Sequence, residues 1–477
     1  MKVTRRALYV ALSCVAATPL WGQAVDQTHA VAPKFKYSYY AQGEQLTPAA
    51  SDATVEIPQA PTVETVIGET VIGSGVHDHD HHVHGHASPT IDHVQGGGGN
   101  CAGVCGTSCG CDTPYRLFPK VGGLKIDGWA AAGATYNGVN PPDKYNGVTT
   151  FNDRNEVQLN QLYLRVGKAL DTSCQCFDWG GQVDVMFGSD YIFTQATGLE
   201  TRRNGAPKWN SHEQYGLALP QMYAEVGMGS LSAKVGHFYT IIGNEVVTAP
   251  DNFFYSHAYT MQYGEPFTHT GALLTYDVND RVNFVGGVHN GWDNFDANTE
   301  RIGFLGGFNW QSCDERKSLS VALTSGDDLN NTAAYTNRTM ISIVGSMQLS
   351  DNMDYVIQHD NGWHSDFFSP GVDAEWYGIN QYLFYTMNDC WKAGLRFEWF
   401  RDDDGTRVSG VRASNPNVGS FVGNFYQASA GLNWTPASNV IVRPELRWDW
   451  FEGSGLPYDG LTKDEQFTGA VDAIFLF

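Results

Sequence analysis

Histidine and carboxylate alternate in His77-Asp78-His79-Asp80-His81-His82-Val83-His84-Gly85-His86, with His93 beyond. Imidazoles interleaved with carboxylates are a donor set for Zn²⁺, Ni²⁺ or Cu²⁺. The spacing of His77, His79, His81, His82, His84 and His86 defines no single closed site. The tract therefore reads either as a loose divalent-metal binder or as a solvated polar segment. Cysteines follow as Cys101-x3-Cys105-x3-Cys109-x-Cys111, and four more stand apart at Cys174, Cys176, Cys313 and Cys390. In an exported chain all eight are disulfide candidates. A zinc or cluster site on Cys101, Cys105, Cys109 and Cys111 is the alternative, weakened by their glycine-rich surroundings.

A second set of charges is spaced by two. In Val442 to Trp450 one face carries Arg443, Glu445, Arg447 and Asp449, and the other Val442, Pro444, Leu446, Trp448 and Trp450. Arg396 and Glu398 oppose Leu395, Phe397 and Trp399 in the same way. One face of such a segment suits hydrocarbon and the other only water, because charge at bilayer depth costs several kcal/mol. Rings of facing charge select ions without covalent chemistry. Nothing points to an enzyme: no serine–histidine pair with a third member stands at strand ends, and His212, His257, His269 and His364 lie in or beside predicted loops. The carboxylate runs Asp402-Asp403-Asp404 and Asp327-Asp328 read as hydrated loop charge ahead of Ca²⁺ ligands.

The elements that position these charges are short alternating segments of about ten residues, the signature of a transmembrane strand. The alternation predicts strands at 122–136, 155–168, 179–190, 217–228, 231–243, 269–278, 281–291, 300–311, 318–325, 337–349, 353–363, 375–387, 391–402, 424–435, 440–452 and 467–477. That is an all-β fold, a transmembrane antiparallel up-and-down β-barrel of about 16 strands with a flexible N-terminal arm. Connections alternate in length: 229–230, 279–280, 350–352 and 435–439 are short, whereas 191–216, 244–268, 403–423 and 453–466 are long. The 244–268 connection holds Phe253, Phe254, Tyr255, Tyr259 and Tyr263. It has apolar mass enough to fold inward and build a constriction, with Glu245, Asp251 and Glu265 facing Arg396, Arg443 and Arg447 across the lumen.

The chain ends agree. Lys2, Arg5 and Arg6 precede an apolar run to Leu20 and the small residues Gly22 and Ala24, so residues 1–24 read as a signal peptide. Residues 25–115 form a low-complexity periplasmic arm, with the histidine tract at 77–93 and the cysteine cluster at 101–111; residues 116–477 form the outer-membrane barrel. The last segment shows Phe467, Gly469, Val471, Ala473, Phe475 and Phe477 on one face, with Thr468 and Asp472 on the other. Such a strand closes a barrel against its first strand and shows one face to lipid. A formal net charge of −22 argues against nucleic acid as a partner.

Four stretches resemble the OmpL-like β-barrel porin family of bacterial outer membranes: Trp179 to Asp190, Gln221 to Val226, Gly264-Glu-Pro-Phe-Thr-His-Thr-Gly271 and Val288-His-Asn-Gly-Trp-Asp293. The resemblance spans about residues 120–477. It implies an outer-membrane barrel with passive solute passage, and leaves the arm unassigned.

The expected function is an outer-membrane porin for small hydrophilic solutes, cation-preferring and free of cofactors unless the arm takes a divalent metal. Its expected partners are outer-membrane lipid, lipopolysaccharide and, as a homotrimer, its own copies. The alternatives are a substrate-specific channel and a barrel-anchored metal-binding or surface protein.

Overall fold

The structure, a computed structural model, describes residues 117–118, 123–141, 145–149, 156–172, 176–203, 205–212, 214–296, 301–408 and 421–477. The arm, with His77–His86, Cys101, Cys105, Cys109 and Cys111, lies outside the described residues, as does Cys174.

The strands are β1 Lys125–Asn137, β2 Val157–Lys168, β3 Phe177–Gly188, β4 Asn210–His212, β5 Tyr215–Ala218, β6 Met222–Met228, β7 Leu231–Tyr239, β8 Thr268–Asn279 and β9 Val282–His289. They continue as β10 Gly303–Gln311, β11 Lys317–Leu329, β12 Tyr335–Ser350, β13 Met353–Ser369, β14 Val372–Asn388, β15 Trp391–Asp402, β16 Val422–Ala437, β17 Val440–Ser454 and β18 Glu465–Leu476. Consecutive wall strands pair antiparallel, and β18 pairs back onto β1, so no edge is left open. β5 and β6 both pair with β3 and are two halves of one wall strand. They are separated at 219–221, where Pro220 has no N–H to give to the ladder. β4 pairs only with β5 and belongs to an outer connection. The wall is therefore a closed barrel of sixteen strands.

Closure happens where the terminal aromatic predicts it. Ala130 to Asn137 face Phe475 back to Thr468 in register, and Phe477 and Gly128 exchange both backbone hydrogen bonds, at 2.9 and 3.0 Å. Phe467, Val471 and Phe475 are exposed on the outer face, whereas Thr468 and Asp472 are buried inside. The same alternation holds in β12, β15 and β17. A soluble protein would not leave Leu395, Phe397, Leu446 and Trp448 facing out together. In a bilayer that face is the solvated one.

Aromatic residues ring the outer surface at two heights. Trp391 stacks on Trp434 at 5.6 Å near the rim that holds the C-terminus, and Trp179, Tyr276 and Tyr385 stand at comparable depth. Toward the opposite rim Tyr426 stacks on Trp450 at 5.1 Å, and Tyr377 meets Trp399 edge-on at 5.6 Å. Eight residues separate Trp391 from Trp399, roughly 20 Å along the normal for strands tilted about 40°. That suits a hydrocarbon layer flanked by interfacial girdles.

Some boundaries differ from the alternation pattern. β13 and β14 run seventeen residues each and meet at a two-residue turn, Pro370-Gly371, with Gly371 at φ +80°. The sequence suggests a longer loop there, because beyond the membrane no lipid demands apolar residues; the pairing is regular to His364 opposite Ala374, breaks, and resumes with Ser369 opposite Val372. β7 stops at Tyr239, four residues early. There the chain turns into the lumen.

Candidate functional site

Residues 240–267 leave the wall between β7 and β8 and cross the inside of the barrel. Most of their side chains are buried, although they belong to a connection. The loop holds one short 3₁₀ turn at Ala249–Asp251 and one wide turn at Thr260–Gly264. Its remaining backbone must find hydrogen-bond partners away from water. The charged rows of the wall supply them.

Arg443 donates from Nη1 to the carbonyls of Ala249 and Asn252, both at 2.7 Å, while Nε and Nη2 fork the Asp472 carboxylate at 2.9 and 2.5 Å. Arg396 donates from Nη1 to the Ser256 carbonyl at 2.7 Å and to Glu245 at 2.6 Å. Arg447 reaches the His257 carbonyl at 2.6 Å and is paired with Asp449 at 2.7 Å. The carboxylates take the N–H groups: Glu445 accepts from Ser256 N at 2.8 Å, and Glu398 from Tyr259 N at 2.7 Å and Thr260 N at 2.6 Å. Asp449 accepts the Tyr259 hydroxyl at 2.7 Å. Wall charges thus follow the loop backbone as a splint. Arg396, Glu398, Arg443, Glu445, Arg447 and Asp449 face the lumen, and the loop covers each to 3% exposure or less.

Small wall residues make room for the large side chains of the loop. At Gly394 an added Cβ would overlap the Phe253 ring, and at Gly133 the Tyr255 ring. At Gly431 an added Cβ would be tight against the Phe254 ring, and at Gly378 it would overlap the Thr260 hydroxyl. All four glycines point inward by the alternation of their strands. Phe253 and Phe254 then pack with Tyr382 and Phe384. Two spaces between loop and wall measure about 10 and 20 Å³, room for about one water each.

The three loop carboxylates have separate environments. Burial would push the Glu245 carboxyl up, but the Arg396 charge, and then His257 at 3.5 Å, hold it down to about 2. Asp251 is half-buried and accepts from Thr248 Oγ1 at 2.5 Å. Glu265 faces no arginine, contrary to the expectation that it opposes Arg396, Arg443 and Arg447. It accepts from Gln358 Nε2 at 2.6 Å and lies beside Asp360 of β13. Burial, and then the Asp360 charge, raise it well above its ordinary value.

Other residues of the site carry no signal in the periodicity. Gln161, at a β2 bulge, donates to the Val247 carbonyl at 2.6 Å, and its Oε1 accepts from Ala249 N at 3.1 Å. Asp293 takes Phe267 N at 3.0 Å and Thr268 N at 2.7 Å, joining the two most family-like stretches. Beyond the loop, Trp376 Nε1 donates to the Gly264 carbonyl at 3.0 Å and Arg407 Nε to the Tyr263 carbonyl at 2.6 Å. His257 sits in the loop, whereas His269 and His364 lie in β8 and β13, and His269 bonds Thr240 at 3.0 Å. The cysteines Cys176, Cys313 and Cys390 share the rim of the C-terminus; Cys313 is an exposed free thiol and Cys390 is buried.

A closed antiparallel barrel of sixteen strands, apolar outside and entered by a folded loop, defines an outer-membrane channel. The chain belongs to the family described as putative beta-barrel porin-2, OmpL-like, which matches residues 123–477. No curated protein matches it. Among solved structures it is similar to the outer membrane channel DcaP of Acinetobacter baumannii, at 12% identity and a TM-score of 0.47 over 74% of this chain and 97% of that one. It is similar to OprB of Pseudomonas putida at 12% and 0.49, over 74% and 94%. An anion-selective porin from Comamonas acidovorans is similar at 10% and 0.49, over 74% and 99%.

Proposed function

We propose that this outer-membrane porin passes small hydrophilic solutes by passive diffusion, that residues 240–267 set its narrowest cross-section, and that it prefers cations. The observation that carries the reading is the loop itself, held inside the barrel by three wall arginines and two wall glutamates. An outward loop would need none of them. Solutes do not thread the seam, whose spaces take about one water each; they pass where the loop leaves the lumen free. The cation preference draws on charge balance: residues 122–477 hold 22 Lys+Arg and 41 Asp+Glu. A surplus of one sign along a low-dielectric-walled passage raises the local concentration of counter-ions. Export through residues 1–24, contact with lipopolysaccharide and assembly as a homotrimer belong to the same reading.

Planar-bilayer recording tests it. The folded protein is expected to conduct, with a reversal potential in a salt gradient of the sign for cations. Shortening the loop between Thr248 and Met261 is expected to raise single-channel conductance. Unchanged conductance in a correctly folded deletion would move the constriction elsewhere, and no current from the intact barrel would make it an anchor.

A further inference from the structure

The seam satisfies nearly all of its polar groups, with one concentrated exception. Where residues 243–265 meet β12 and β13, five buried oxygens make no hydrogen bond of good geometry among the described residues: Asn244 Oδ1, Glu265 Oε2, Ser342 Oγ and both carboxylate oxygens of Asp360, which has only the Ser342 hydroxyl, the Gln358 amide and Glu265 within reach. Their residues are 7%, 3%, 1% and 0% exposed, in that order. The group is contiguous. Ser342 and Asp360 are direct cross-strand partners, Gln358 precedes Asp360 on the same inward face, and Gln358 joins both loop residues. It gives Nε2 to Glu265 at 2.6 Å and takes Asn244 N on Oε1 at 3.0 Å. The Glu265 and Asp360 carboxyl groups lie within hydrogen-bonding reach of one another.

Two carboxylates side by side, out of water and away from arginine or lysine, need a positive partner. Elsewhere in the seam each buried carboxylate has an arginine or several N–H donors. Here the one nitrogen donor is the neutral Gln358 amide, and the other surrounding groups are oxygens: an amide carbonyl, a hydroxyl and a second carboxylate. Oxygen-only donor sets of this kind suit hard divalent cations, which take six to eight oxygens from carboxylates, amides and water. The loop is shaped for it as well. Gly243 has φ +90°, and a Cβ there would overlap the Glu265 carboxylate, so only glycine lets Glu265 stand where it does.

We propose that Asn244, Glu265, Ser342 and Asp360 form a binding site for a divalent cation of the Ca²⁺ type, which clamps the lumen loop to β12 and β13. Asn244 and Ser342 supply neutral oxygens, Glu265 and Asp360 the charge. The ion joins the loop to β12 and β13, five and four strands round the wall from β17, which carries two of the three splint arginines. Imidazole and thiolate are absent from the set, so the site selects against Zn²⁺.

The test uses the full-length folded protein in detergent, stripped with EDTA and titrated calorimetrically with CaCl₂, with thermal unfolding alongside. Wild type is expected to bind Ca²⁺ and to unfold several degrees higher with it. Asp360→Asn and Glu265→Gln are expected to weaken binding at least tenfold. Asn244→Asp, which adds charge without bulk, is expected to tighten it, so one readout is a gain that misfolding cannot mimic. Equal Ca²⁺ affinity in wild type and Asp360→Asn overturns the site. So does a wild type that takes up no Ca²⁺ and keeps one proton on the carboxyl pair instead. Binding is read without current: a conducting protein that ignores Ca²⁺ loses the site and keeps the channel, and a Ca²⁺-binding protein without current does the reverse.

Discussion

Arg396 and Glu245 stand 151 residues apart in the chain and meet at 2.6 Å inside the barrel, with the arginine side chain fully buried. Arg396 also holds the Ser256 carbonyl, and Glu445 lies 3.6 Å away. Truncating one member of such a pair leaves the other's charge uncompensated in a place water does not reach. Arg396→Met is therefore expected to destabilise the folded barrel by about 3–5 kcal/mol, measured by reversible denaturant unfolding in detergent. Its conductance is expected to rise, because the loop loses a tether at its middle. A variant as stable as wild type would mean that Glu445 holds Ser256 unaided.

Removing Phe477 is expected to block assembly. The residue forms both hydrogen bonds to Gly128 at the closing seam, and its ring lies over the same glycine. Heat-modifiable mobility on gels, the mark of a folded barrel, is expected to vanish. Normal insertion of the truncated chain would show that the rest of the β1–β18 ladder closes the barrel without it.

Two loop carboxyls give opposite responses to pH. Glu245 is held down to about 2 against an ordinary 4.5, so its contribution is complete above 4.5 and is lost as pH falls toward 2. Glu265 is raised by burial and by Asp360, with Glu245 adding to the same effect. Its stabilisation is complete below 4.5 and is lost as pH climbs from there toward its raised value. In EDTA the unfolding temperature is expected to fall between pH 5 and 8, and Glu265→Gln to remove most of that slope. A wild-type profile flat over this range would show that Glu265 does not change its proton occupancy on unfolding.

Cys313 is expected to react with a membrane-impermeant maleimide once the outer membrane is opened, and Cys390 only after reduction. The first is exposed and the second buried. We propose that Cys390 forms a disulfide that ties the arm or the 169–176 connection to the rim. Non-reducing peptide mapping reads it directly, and a free Cys390 in native membranes would remove the staple.

The barrel was legible because lipid and lumen impose opposite demands on alternate residues. Arg443 to Asp449 and Phe467 to Phe477 are readable one strand at a time. Beyond the bilayer that demand ends, and β13 runs six residues and β14 three past the expected boundary. The charges of the lumen face were legible too, but their partners were not. Arg443 and Arg447 bind backbone carbonyls nearly two hundred residues away, and a carbonyl has no letter in the sequence. Glu265 was placed opposite arginine because arginines were the visible counter-charges; only the register of β12 on β13 brings Ser342 and Asp360 to it. The glycines at 133, 378, 394 and 431 were a usable sign, since small residues at inward positions mark where something else must fit.

The distances the splint spans along the chain also fix an order of events. Its loop is complete once β7 and β8 are made, yet its holders are Gln161 before it and Gln358, Arg396, Glu398, Arg443 and Arg447 long after. Contacts of such wide sequence separation form only when the wall already brings them together. Docking of the loop is thus expected to follow closure of the wall. A newly closed barrel should conduct more before the loop docks than after.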